Sequence, residues 1–252
     1  MIVKFYRHLV TIAIMLLLPF FSGTCRGEPR QKQLADEIVA SILEAYGGAD
    51  SIRKVLSVTA TGRITEFMNG KVGNYSRYFE QPGKLRIEVM PEQGGDIRIL
   101  NGNSGWQRRG EGFVRVSPLE LQSMIYQYSY LDLPMAFGDK EFLVTYGGKF
   151  RQNGEEVYLL LLETKNSPQL RVLIDARTRL IARVSAKFAM GMMGDGELST
   201  TYSDYHAVDG VLFPHTLVNY AGDMKLSEIK LGNIKVNQKI PAAFFAPRVD
   251  QH

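Results

Sequence analysis

His206 and His215 flank an Asp209-Gly210 turn together with Asp204 and Asp209, so this hairpin gathers two imidazoles and two carboxylates within a few residues. Such a set could in principle bind a zinc ion. The spacing fits no metal motif, however: there is no H-E-x-x-H, and a structural zinc wants four convergent ligands. A cross-strand His and Asp pairing on a solvated hairpin accounts for the cluster more simply. Nucleophile signatures are also missing. No G-x-S-x-G occurs, and "NGNSG" at 101–105 is a turn without the helix that a phosphate loop needs behind it. The expectation is therefore a protein without catalytic residues, metal or cofactor.

A different chemistry, the sheltering of apolar groups, is suggested by "AKFAMGMMGDGELS" at 186–199. Glycines alone would serve a hairpin tip. Met190, Met192 and Met193 exceed that need, and flexible, polarisable thioethers suit surfaces that adapt to apolar partners. They are read as the rim of a cavity mouth, with an ordinary hairpin tip as the alternative. Trp106, the sole tryptophan, either packs on the sheet or stands at the entrance with its amphipathic indole.

The candidate cover for such a cavity is "SPLELQSMIYQYSYLDLPMAF" at 117–137. Ser117 as N-cap, Pro118 at the first helical position and Glu120 three residues after the cap form a capping box. Leu121, Met124, Ile125 and Tyr128 then make an apolar stripe, and Pro134 ends it. The helix is either a plug in an open edge or a lid over a hollow.

Around it the chain alternates with period 2. Strand-like runs begin at Val58 and are punctuated by Asn69-Gly70, "NGNSG", Gln152-Asn153-Gly154, "DART" and Val208-Asp209-Gly210, giving roughly ten or eleven antiparallel strands. A sheet that large must curl or close. The alternation is clean from Arg179, with Leu180, Ala182, Val184, Ala186, Phe188 and Met190 on one face. Small inward residues (Gly62, Ala182, Ala186) among larger ones (Ile64, Val184, Phe188) suit an unfilled interior, and ordinary packing too. Tyr158 to Leu162 is apolar on both sides, which implies a strand covered on both faces, with a terminal helix as the outer cover. Before the strands, Leu34, Ile38, Ile42 and Tyr46 form one stripe of an amphipathic helix ended by Gly47-Gly48, and "SIRKVLS" makes a short second helix.

Residues 1–27 form an export leader: Lys4, Arg7 and His8, then the apolar run 9–21, then small residues for cleavage. That run falls well short of the roughly 20 residues that cross a bilayer. Cys25 is the single cysteine, so no disulfide staples the chain. Its lipidation is the alternative to cleavage after Gly27, but Ser22 and Thr24 make a poor lipidation context. Removing residues 1–27 leaves 27 basic against 26 acidic residues, a net charge of +1. No basic block is present, so nucleic acid is not the expected partner. Residues 28–252 suffice for one domain.

"LEAYGGADSIRKVLSVTATGRI", "NGNSGWQRR", "TTYSDYHAVDGVLFPHTL" and "KVNQKIPAAFFAPR" resemble the LolA-like outer-membrane lipoprotein-sorting family, which includes the carrier LolA, its receptor LolB and the sensor RseB. The resemblance implies a mainly β fold with flanking helices: an incomplete antiparallel barrel of about eleven strands with a helical lid, enclosing an apolar hollow. The N-terminal helix, the Ser117 helix and "AAFFAP" would form lid and seam. The resemblance further implies a periplasmic, monomeric protein that binds lipid or lipoprotein acyl chains and works with a membrane-protein donor or acceptor. An envelope-stress sensor on the same scaffold is the second reading, and a hydrolase the third. Candidate ligand residues are Leu121, Met124, Ile125, Tyr128, Val184, Phe188, Met190, Met192, Met193 and Trp106. The family also uses a barrel arginine that holds the closed lid by hydrogen bonds, a residue that no motif here singles out.

Overall fold

The computed structural model describes residues 27–91, 95–139, 142–164, 167–189 and 195–247. Residues 1–26, with Cys25, and the methionines at 190, 192 and 193 lie outside them. Two helices come first, α1 (Gly27–Ala45) and α2 (Ala49–Arg53), followed by six strands: β1 (Ser57–Glu66), β2 (Val72–Glu80), β3 (Lys84–Pro91), β4 (Asp96–Asn101), β5 (Ser104–Arg109) and β6 (Gly112–Arg115). Helices α3 (Pro118–Asp132) and α4 (Met135–Asp139) interrupt the run. Then come β7 (Leu143–Gln152), β8 (Glu155–Glu163), β9 (Leu170–Asp175), β10 (Ile181–Ala189), β11 (Asp195–Val208), β12 (Val211–Ala221) and β13 (Met224–Val236), before a 3-10 turn at Ala242–Phe245. None of the described helices is long and apolar enough to cross a membrane.

All thirteen strands belong to one sheet, in the order β6-β5-β4-β3-β2-β1-β13-β12-β11-β10-β9-β8-β7. Every pairing is antiparallel. The edge strands β6 and β7 do not pair with each other, and the chain crosses from one to the other through α3 and α4. This is an unclosed barrel with a helical cover. Two strands exceed the sequence expectation of about eleven. The turn at Gly110 (φ 61°) divides what reads as one strand into β5 and β6, and β13 has an irregular alternation that hides it.

Tight turns fix the register. Asn153-Gly154 (φ 51° and 88°) and Asp209-Gly210 (φ 49° and 81°) both place two successive residues at positive φ. That is the mirror-image turn whose twist matches flanking strands. At the sheet's centre, β1 shifts register between Thr61 and Gly62 against β13. A side chain at 62 would meet the Lys230 carbonyl oxygen at 2.0 Å, so the bulge requires glycine for close backbone approach.

The inner face carries Val58, Ala60, Ile64, Tyr75, Phe79, Leu85, Ile87, Val89, Val184, Ala186 and Phe188, all buried in one cluster that also takes Ile38, Ile42 and Tyr46 near the end of α1. One part of the predicted β10 face differs. A register shift between Ile181 and Arg183 turns Ile181 inward, and Ala182 instead lines a surface depression beside Gln152 and Asn153. The terminal residues differ as well. Their 3-10 turn packs against β3 and β4, where the Phe244 ring lies 4.8 Å from Tyr78 and Phe245 is buried. Alternation sets Tyr78 opposite the inward Arg77 and Phe79, so "AAFF" covers the convex side of those strands rather than the seam or β8.

Candidate functional site

Helix α3 crosses the concave face of the sheet, and three sides of it are held differently. Its start is fixed by the capping box: the Glu120 amide donates to Ser117 Oγ at 3.3 Å, and the Ser117 amide donates to Glu120 Oε2 at 2.8 Å. Leu121 and Met124 rest on β5 at Gly105, where a side chain would meet Val116, Leu121 and Met124 at 2.7–3.1 Å. Tyr128 stacks on Phe79 (4.9 Å between centroids, 15°), and its hydroxyl accepts from the Gly83 amide at 2.9 Å. On the far side the Tyr126 hydroxyl faces the carbonyls of Val184 (3.3 Å) and Leu198 (3.2 Å), and its ring meets Phe188 edge-on at 5.5 Å.

Between α3 and the sheet lies a cavity of about 340 Å³. Ile64, Ile87, Val89 and Ile229 supply an apolar wall from β1, β3 and β13. Ser199, Asn219 and Ser227 supply a polar one, in which Thr200 Oγ1 donates to Asn219 Oδ1 (2.8 Å) and Asn219 Nδ2 donates to Ser227 Oγ (2.9 Å). The helix contributes Ser123, Tyr126, Gln127 and Tyr130. Glu66, Met68, Asn69 and Arg98 also line the cavity, and Arg98 is paired with Asp96 at 2.6 Å. A larger depression of about 500 Å³ beside Ala40, Leu43 and Gly47 lies on the surface, away from these groups.

Deeper in, Tyr130 also borders a void of about 30 Å³, with Tyr46, Val58, Arg77, Phe79, Tyr202 and Phe213 among its other walls. Arg77 is 6% exposed and sits in the register row Ala60–Arg77–Ile87, one step inside Tyr75 and one step outside Phe79. Its Nε and the Tyr202 hydroxyl have no hydrogen-bond partner among the described residues. The surrounding phenols stay protonated. Burial pushes Tyr130 up to about 12 and raises Tyr75 and Tyr202, while the guanidinium pulls each back by a smaller amount.

The predicted stripe Leu121, Met124, Ile125 and Tyr128 packs α3 onto the sheet, and the cavity takes the next stripe round, Ser123, Tyr126, Gln127 and Tyr130. Val184 and Phe188 stand behind Tyr126, one contact removed from the space. Half-buried Trp106 on β5 follows Gly105, which faces α3, so alternation puts the indole on the opposite face. Met190, Met192 and Met193 fall outside the described residues. Arg77 is the arginine buried in the barrel, and no hydrogen bond joins it to α3 among the described residues. The sequence carries a signal for it: Tyr75-x-Arg77-x-Phe79 sets a cation inside an inward-facing aromatic alternation. His206 and His215 pack edge-on at 4.7 Å on the exposed hairpin, with His206 Nε2 2.7 Å from Asp204 Oδ1. No group of three or more potential metal ligands occurs among the described residues.

No protein-family model matches the chain, and no curated protein sequence matches it. Solved structures do match. A LolA superfamily protein from Nitrosomonas europaea superposes with a TM-score of 0.56 at 12% identity, covering 84% of this chain and 97% of that one. A putative outer membrane lipoprotein-sorting protein domain from Vibrio parahaemolyticus gives 0.54 at 14% identity, over 84% and 96%. A DUF1329 family protein from Desulfovibrio piger gives 0.54 at 12% identity, over 84% and 97%. Identities this low speak for the backbone alone, and the backbone answers clearly: this chain has the LolA-like fold.

Proposed function

We propose that the protein is a periplasmic carrier or receptor that takes an apolar chain, of the class found on lipoproteins and lipids, into the space between α3 and the sheet. The observation that carries this reading is the 340 Å³ cavity between α3 and the inner face of a sheet that is not closed. Its size falls in the range of small-molecule sites, about 300–1,000 Å³. The likeness in fold to a LolA superfamily protein and to a putative lipoprotein-sorting domain supports the same class of ligand. The leader at residues 1–27 supports export.

Energetics set the requirement. An acyl chain of about sixteen carbons loses on the order of 13 kcal/mol on passing from lipid to water, at about 0.8 kcal/mol per methylene. A carrier has to offset most of that with apolar surface, and Ile64, Ile87, Val89, Leu198, Leu226 and Ile229 are the apolar side chains that line this space beside its polar wall. The role is binding and hand-over, with a membrane protein as donor or acceptor. Native mass spectrometry of protein isolated from periplasm, with displacement of a fluorescent fatty-acyl probe, tests it. One lipid per chain and saturable displacement are expected. An empty protein that takes up no probe up to the probe's solubility limit overturns it.

A further inference from the structure

The barrel interior holds a buried guanidinium, Arg77, that makes no ion pair among the described residues. Among those residues its Nε and the Tyr202 hydroxyl are both without partners, and both residues border the same void. Burying a guanidinium is expensive unless an anion and good hydrogen bonds offset the loss of water. Two unpartnered donors that line one small space give that space a use for an acceptor. The void of about 30 Å³ has room for a small polar head and little more. It suits the planar end of a carboxylate better than a tetrahedral phosphate with its four oxygens.

The space above the void completes the argument. Tyr130 lines both the void and the 340 Å³ cavity and so stands between them. On the cavity side the walls from β1, β3 and β13 are Ile64, Ile87, Val89 and Ile229. An amphiphile that passes Tyr130 with its head leading would leave its tail against that apolar wall. The cavity has one other guanidinium, Arg98, but Asp96 already pairs with it.

We infer that the ligand is a single-chain carboxylic acid bound head-in, its carboxylate held by Arg77 and the Tyr202 hydroxyl and its alkyl chain filling the cavity beneath α3. This rests on the carrier reading above and sharpens it to a ligand class.

Calorimetric titration of the mature protein with laurate, methyl laurate and dodecyl phosphate at neutral pH tests it. Hydrogen bonds to charged groups predict laurate binding about tenfold or more tighter than its methyl ester. Arg77→Met brings acid and ester to within about twofold, Tyr202→Phe lowers the acid preference severalfold, and in Arg98→Met the acid is still preferred over the ester. The wild-type ratio and Tyr202→Phe decide the matter even if Arg77→Met fails to fold. Equal binding of acid and ester, a preference for the phosphate, or a preference that survives Arg77→Met and vanishes in Arg98→Met overturns the head-in assignment and leaves the carrier standing. Binding of none of the three overturns both.

Discussion

A methyl group added at position 62 would lie 2.0 Å from the Lys230 carbonyl oxygen, and backbone cannot swing aside as a side-chain tip can. Gly62→Ala must therefore open the β1–β13 bulge, at about 1–3 kcal/mol. At roughly 2–4 °C per kcal/mol for a chain of this size, the melting temperature falls visibly. Gly112→Ala on β6, where the added carbon also meets nothing within 4 Å, is the matched control away from the bulge and shifts it far less. The buried phenols carry a second prediction. Tyr46 and Tyr130 are each pushed up to about 12 by burial, from 10.0 when free. Below pH 10 folded and unfolded chains hold these protons alike. As pH rises from 10 through 12 the unfolded chain loses protons that the folded one keeps, so stability falls by on the order of 2–3 kcal/mol per phenol. Urea midpoints measured across that interval should drop, and Tyr46→Phe should make the drop shallower. A midpoint flat across the interval would show that these rings open to water without unfolding.

In the carrier proposed above, helix α3 is the element on which uptake depends, and its attachments are few enough to count by hand. Ser117→Ala removes the cap at about 1 kcal/mol. Deuterium exchange should then speed up at residues 118–132 and not in β1 or β13, and a bound acyl probe should leave faster. Exchange that rises equally in the sheet would mean that α3 opens only with global unfolding. The capping box, Pro118 and the apolar stripe made this helix legible in the sequence, because caps and periodicity are local properties. Which stripe faces the cavity was not legible. That choice depends on Tyr128 reaching Phe79 and the Gly83 amide, and on Tyr126 reaching β10 and β11, contacts between residues far apart in the chain. The β10 face was misjudged at Ala182 for a similar reason: a bulge inverts the inward set, and nothing in Leu180–Arg183 announces it. Most hairpin turns were readable from Asn-Gly and Asp-Gly pairs, whereas β13, lacking clean alternation, was not.

At the scale of the molecule, one continuous sheet predicts one cooperative transition, and a ligand that binds only the folded form should move it. At a hundredfold excess over Kd the gain is about 2.7 kcal/mol. Laurate should accordingly raise the melting temperature by roughly 5–11 °C, as read by differential scanning calorimetry. No shift at saturating ligand would mean that the unfolded chain binds it equally well. The strand order has its own consequence. β1 and β13 pair in the middle of the sheet, with the first six strands fanning out to one side and the remainder to the other. The chain's two arms are thus spliced by its last strand, like a book whose spine is sewn only when the final page arrives. Until β13 is in place, two half-sheets hold their greasy faces bare. A polypeptide ended at Gly222 should yield insoluble fragments of a barrel instead of a narrower one.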